Sequence, residues 1–195
     1  MLPGIIIGLS FHEFAHAWMS DRLGDPTPRR QGRVTINPLA HIDWVGFLAL
    51  LLVGFGWGKP VQIDPSYYKH RRRDEFLVGI AGVTMNLLIA IAFSIPARIM
   101  VRSLSGAAVS DLVYNIYLIF FYTVSINVVL MVFNLIPCPP LDGWGIITQI
   151  FRLDRYRWWY KVYQYGTWIL LALILLNITD LILTPLVSAI VGVLI

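Results

Sequence analysis

Apolar residues run through this chain in long stretches, and the polar positions gather in a few clusters between them. Residues 2–23 read as an apolar helix interrupted by His12, Glu13 and His16. Residues 24–43 are rich in Pro, Gly and Arg, with strand-like character at 33–36. The apolar run at 44–55 is only 12 residues long. A helix needs roughly 20 to cross hydrocarbon, so this run predicts a re-entrant or interfacial piece. Residues 56–61 (GWGKPV) predict a turn and a short extended stretch. A basic hinge with Lys69, Arg71, Arg72 and Arg73 leads into a second long span at 75–98. A polar loop at 103–110 separates it from a third at 111–136, which Pro137, Pro139 and Pro140 bring to an end. A short helix is expected after Asp142. Residues 152–165 mix four basic side chains with Tyr156, Trp158, Trp159, Tyr160, Tyr163 and Tyr165, the composition of an interfacial belt. The remainder to Ile195 is apolar, broken at 177–180 and by Pro185, and fits one span or a broken pair. The pattern predicts an all-α integral membrane bundle of about four to six membrane segments, with a short re-entrant, strand-containing region between the first two long spans. It predicts one domain over 1–195, with a core at about 5–150 and C-terminal membrane segments at about 160–195.

Composition supports the membrane reading. Of 195 residues, 57% are hydrophobic and 13% charged, with a mean hydropathy of +0.70; soluble domains carry about twice that charged fraction. The single cysteine, Cys138, excludes an internal disulfide and a four-cysteine zinc site. The isoelectric point near 9.4 does not indicate nucleic acid, because the basic residues border apolar segments, where they set topology and meet anionic headgroups. Nine of them fall between Arg22 and Arg73 and four between Arg152 and Lys161, against Arg98 and Arg102 on the other side of a hairpin of the second and third spans. The positive-inside rule then places the two large groups in the cytoplasm of a multi-pass protein and the amino terminus outside. Residues 1–9 lack a basic leader and a small-residue cleavage site and do not read as a removable signal.

The polar positions inside the apolar runs carry the chemistry. His12-Glu13-Phe14-Ala15-His16 is an HExxH motif. On a helix, residues four apart share a face, so both imidazoles point at one place and suit a single zinc ion, with Glu13 beside it to take a proton from water. A polar patch satisfied within the bundle is the alternative, although ionisable residues in a span are costly and usually functional. A catalytic zinc needs a third protein ligand. Asp142, in Asn134-Leu135-Ile136-Pro137-Cys138-Pro139-Pro140-Leu141-Asp142-Gly143, is the strongest candidate. Its prolines leave carbonyls unpaired at membrane depth, which is tolerated only inside protein or beside a water-filled cavity, and a buried carboxylate there needs a cation. Helix capping is the competing role for Asp142. His41 is expected to organise its loop and His70 to be solvated; Cys138 lies near the expected metal without being assigned to it.

HExxH in a first membrane helix, paired with NxxPxPxLDG near the end of a later one, resembles the site-2 protease family of intramembrane metalloproteases. The resemblance extends through Gly24-Asp25-Pro26-Thr27, the stretch from Gly32 to Asp43 (GRVTINPLAHID), and Gly56 to Val61, covering roughly residues 5–150. It implies a compact form without PDZ or CBS domains, one zinc ion held by His12, His16 and Asp142, and Glu13 as catalytic base. Family members commonly carry Gly-Pro-x-x-Asn in the helix after the basic hinge. Here Gly82-Val83-Thr84-Met85-Asn86 keeps the glycine and the asparagine and replaces the proline. Asn86 then either contacts substrate or an oxyanion, or joins helices. The implied partners are the lipid bilayer and a membrane-protein substrate helix, with cleavage in or near the substrate's span. The active site would lie nearer the cytoplasmic side of the cell membrane, and extended stretches near Val34 or Val61 would pair with the unwound substrate.

Two other classes compete. A membrane metal transporter or metal-binding protein would need further ligands along a pathway, and the long spans hold no second His/Asp/Glu set. An inactive scaffold would have lost Glu13 or a ligand, and all four residues are present.

Overall fold

The structure is a computed structural model of the chain and describes residues 1–53, 56–104 and 110–195. Its principal helices are α1 (Leu2–Arg22), α2 (Thr27–Arg30), α3 (Trp44–Val53), α4 (Arg71–Leu104), α5 (Asp111–Asn134), α6 (Asp142–Phe151), α7 (Arg157–Leu175) and α8 (Ile178–Leu194). Short 3₁₀ turns lie at Pro38–Ala40, Pro65–Tyr67 and Leu153–Arg155.

Helices α4 and α5 form the most extensive pairing, and α1 packs against both. Their shared core is Val83, Ala90, Val124, Val128, Met131 and Val132, closed by Ile146 of α6. The approach of α1 is set by its small residues. Gly4, Gly8, His12, His16 and Ser20 recur every four residues and are all buried, a single stripe along one helix face. A side-chain carbon at Gly4 would lie 2.8 Å from the Thr123 backbone, and one at Gly8 would lie 2.6 Å from Leu130. Small residues four apart let two membrane helices approach this closely.

The long helices begin and end for local reasons. At the start of α4 the Asp74 carboxylate accepts the His70 N–H at 2.9 Å, holding the basic hinge as a helix cap; α4 accordingly begins at Arg71 rather than at the expected 75. Helix α5 starts at the Ser110 cap and stops at Asn134, two residues before the expected 136. The chain then turns tightly through Cys138 and Pro139 before Asp142 opens α6.

By length and composition, Arg71–Val101 and Asp111–Asn134 can each cross a membrane. Helices α7 and α8 add a third candidate if their pair, bent by 72°, counts as one broken span; Asn177, at φ 55°, sits at the break. The described helices therefore supply two or three spans by this measure, where four to six were expected. Helix α3 is only 10 residues long, and α1 carries His12, Glu13, His16, Asp21 and Arg22, which dilute its apolar run.

The strand-containing region is corrected as well. Among the described residues there is no strand, only an isolated antiparallel bridge between Ile42 and Gly58. Residues 33–37 bend instead, because Thr35 and Asn37 turn their side-chain oxygens onto backbone N–H groups and Pro38 starts a 3₁₀ turn. The expected polar loop at 103–110 falls mostly outside the described residues, as do the last two residues of the expected piece at 44–55.

Behind α1, a buried network ties the loops together. Asp25 accepts from Ser20 Oγ at 2.9 Å, Thr27 N–H at 2.8 Å and Asp64 N–H at 2.8 Å, while Ser20 Oγ also meets the Tyr68 hydroxyl at 2.7 Å. Burial works to raise the Asp25 pKa, and these hydrogen bonds outweigh it, leaving the carboxyl below its ordinary value. Burial pushes the Tyr68 phenol up to about 12.

Candidate metal centre

Helix periodicity puts His12 and His16 on the buried stripe of α1, and the tight turn after α5 delivers Asp142 to the same place. Asp142 Oδ2 lies 3.2 Å from His12 Nε2 and 3.2 Å from His16 Nε2, and the two nitrogens are 3.0 Å apart. Three residues of metal-binding type thus converge within 4.8 Å.

The far side of each imidazole fixes what the near side presents. His12 Nδ1 faces Asn86 Oδ1 at 2.7 Å, and His16 Nδ1 faces the Val78 carbonyl at 2.7 Å. Both partners accept, so each Nδ1 carries the proton and each Nε2 turns a lone pair inward. The Asn86 amide is itself oriented: its Nδ2 donates to Gly8 O at 3.2 Å and to Asn127 Oδ1 at 3.0 Å, and Asn127 Nδ2 donates to Thr123 O at 2.8 Å. Three electron-rich atoms therefore face one another without a donor, and buried Asp142 Oδ2 has no hydrogen-bond partner. That arrangement is unfavourable unless a cation joins it. Two imidazoles and a carboxylate are a suitable donor set for zinc.

Room for this convergence comes from two glycines. A side-chain carbon at Gly82 would lie 2.4 Å from His16 Nε2 and 2.6 Å from His12 Cε1. At Gly143 it would lie 2.3 Å from the Leu135 carbonyl, so α6 could not close on the end of α5.

Glu13 stands outside the convergent group and lines a cavity of about 550 Å³ with His12, His16 and Asp142. Its Oε2 accepts the Val61 N–H at 3.0 Å and lies 3.9 Å from the Arg33 guanidinium. Arg33 is buried and donates to the carbonyls of Ala40 and Lys59, pinning the extended stretch that carries Val61. His41, fully buried, meets the Thr35 carbonyl at 2.7 Å and organises this loop. Of the two extended stretches expected to border the site, Pro60, Val61 and Ile63 line the cavity and Val34 does not. Nor does Asn86, which is fully buried with its amide committed. Cys138 lies buried against Pro139 and Gly166, apart from the convergent group, and His70 is exposed.

Sequence reasoning overlooked Asn127 and Arg33 and gave Gly82 no reason. A polar residue in mid-span, such as Asn127, was the available signal. Arg33 entered as a topology charge and as part of the GRVTINPLAHID stretch, with no role of its own.

The donor set and its setting among apolar helices suit a membrane metallopeptidase. Comparison with known proteins gives the family: residues 1–177 match peptidase family M50, the site-2 protease family, and the chain belongs to it. It is 31% identical over 186 residues to the Bacillus subtilis protein named "Putative zinc metalloprotease YwhC", covering 95% of this chain and 84% of that one. It is 25% identical over 181 residues to each of two proteins named "Putative zinc metalloprotease Rip2", from Mycolicibacterium smegmatis and Mycobacterium tuberculosis, covering 90% of this chain and 66% of theirs. No solved structure matches the chain significantly. The protein is a membrane metalloprotease that uses zinc.

Proposed function

We propose that this chain is a single-domain intramembrane endopeptidase that hydrolyses peptide bonds in or near the transmembrane segments of other membrane proteins. His12, His16 and Asp142 hold the zinc, Glu13 is the general base, and Asn86 positions His12. The observation that carries this reading is the convergence of the three ligand atoms beside a carboxylate, within a helix bundle.

Bound zinc supplies the Lewis acidity that activates water and polarises the scissile carbonyl. Glu13 takes one proton from the attacking water; the oxygen adds to the carbonyl carbon, the C–N bond breaks, and the proton passes to the departing amine. The contacts from Val61 and Arg33 keep the Glu13 carboxylate turned to that task. A helical peptide bond is shielded by its own hydrogen bonds, so the substrate unwinds before cleavage. The extended stretch at Val61 and Ile63, on the cavity wall, offers it a backbone edge. The basic loops lie on the cytoplasmic side, with the active site nearer that face, and α1 is a membrane helix despite its polar stripe.

Purified Glu13→Gln, assayed on a model transmembrane helix in proteoliposomes, is expected to keep its zinc and lose hydrolysis. Cutting at a near wild-type rate by this variant would sink the reading.

A further inference from the structure

A second cavity, of about 420 Å³, opens beside the first and shares Glu75, Thr148, Gln149 and Trp159 with it. Four arginines line it, Arg71, Arg72, Arg152 and Arg155, against the two carboxylates of Glu75 and Asp154. Two of the four are already engaged. Arg71 donates to Glu75 Oε1 at 2.7 Å, and Arg72 caps the end of α6 through the carbonyls of Gln149 and, at 2.7 Å, Ile150. The guanidinium groups of Arg152 and Arg155 make no hydrogen bond or ion pair among the described residues. Arg152 takes the left-handed conformation that ends α6, and the following 3₁₀ turn carries Arg155, so both are delivered to one wall. Peptide hydrolysis at the metal centre has no use for this excess of positive charge.

The surroundings indicate the anion. Beyond the arginines the chain continues through Tyr156, Trp158 and Tyr160, all exposed, with the first two rings stacked at 6.0 Å. Trp158 and Tyr160 lie in the first turn of α7, which turns apolar further on. Exposed amphipathic rings at the end of an apolar helix sit at headgroup level, and paired guanidinium forks suit phosphate oxygens. We propose that this cavity binds the phosphate headgroup of an anionic phospholipid, with Arg152 and Arg155 as its principal ligands. The assignment rests on the proposed placement of the basic loops at the cytoplasmic membrane surface. It puts a lipid against Glu75 and Gln149, whose mutual hydrogen bond forms part of the wall between the two cavities.

The test uses the full zinc-loaded chain in neutral detergent, with lipid retention counted by native mass spectrometry. The probes are phosphatidylglycerol, phosphatidylcholine and soluble glycerol 3-phosphate. The wild type is expected to retain phosphatidylglycerol over phosphatidylcholine, and Arg152→Gln/Arg155→Gln to lower that retention about thirtyfold. Arg157→Gln/Lys161→Gln removes equal charge outside the cavity and is expected to leave retention near wild type. Equal losses in both double variants, or no preference in the wild type, would overturn the site. Glycerol 3-phosphate binding without a lipid preference would reassign the cavity to a soluble phosphate and overturn the lipid assignment. Zinc content, followed in parallel, is expected to be unchanged in the arginine variants. Hydrolysis is not the readout, so failure of the lipid site is distinguishable from failure of the peptidase reading.

Discussion

Gly82 has no chemistry of its own, yet two imidazoles occupy the space a methyl group would need. Gly82→Ala is therefore expected to splay His12 and His16 and to lose most bound zinc, measured by metal analysis of the purified protein. Gly145→Ala is the matching control, since a carbon added there meets nothing within 4 Å. Asn86 allows a second test. Removing the oxygen that fixes the His12 tautomer is expected to weaken zinc affinity by about 10–100-fold in Asn86→Ala, read by competition with a chelator. A change confined to KM, with zinc affinity intact, would instead make Asn86 a substrate contact. The convergence of His12 and His16 was legible from spacing, and that of Asp142 with them from its proline-broken surroundings and the resemblance to a known family. Gly82, Asn127 and Arg33 were not, because the meaning of each lies in a neighbour far away in the chain.

At the scale of elements, the α1–α5 contact depends on two glycines. Gly4→Val would press against the Thr123 backbone, which cannot yield as the flexible Leu130 side chain opposite Gly8 can. A loss of about 1–3 kcal/mol is expected, seen as a lower thermal midpoint in detergent and larger than that of Gly8→Ala. The Asp25 loop makes a pH-dependent contribution. Its native pKa lies below the ordinary 3.8, so the stability it contributes is complete at neutral pH and lost as pH falls from about 4 downward. In Asp25→Asn, the midpoint is expected to be lower at pH 7 and to vary less on acidification. The helices themselves were readable from their apolar runs. Residues 33–36 predict a strand because Val34 and Ile36 favour β-structure locally, but Asn37, Pro38 and buried Arg33 decide the outcome, a bend.

For the whole molecule, the distribution of basic residues makes a topological claim. Cysteine at position 110, in a Cys138→Ser background, is expected to react with an impermeant thiol reagent from the external face only; labelling from the cytoplasm alone would invert the arrangement. Charge counting gives this orientation, but it does not fix the number of spans. A helix that bears polar and charged groups, such as α1, looks less apolar than its neighbours, and a pair bent at Asn177 looks like one run or two.

The distance along the chain between the proposed ligands has a consequence for biogenesis. Asp142 lies 126 residues beyond His16. At translation rates of about 5–20 residues per second, that gap lasts roughly 6–25 s, during which α1 already carries two imidazoles and Glu13 with no carboxylate to complete the set. A nascent chain in this interval is a hydrolase without a closed metal site, inserted among the helices of other newly made proteins. Latency at this stage needs no inhibitor, because it follows from the order of synthesis, and cleavage becomes possible only once the sixth helix has docked on the fourth and brought Asp142 to the two imidazoles of the first.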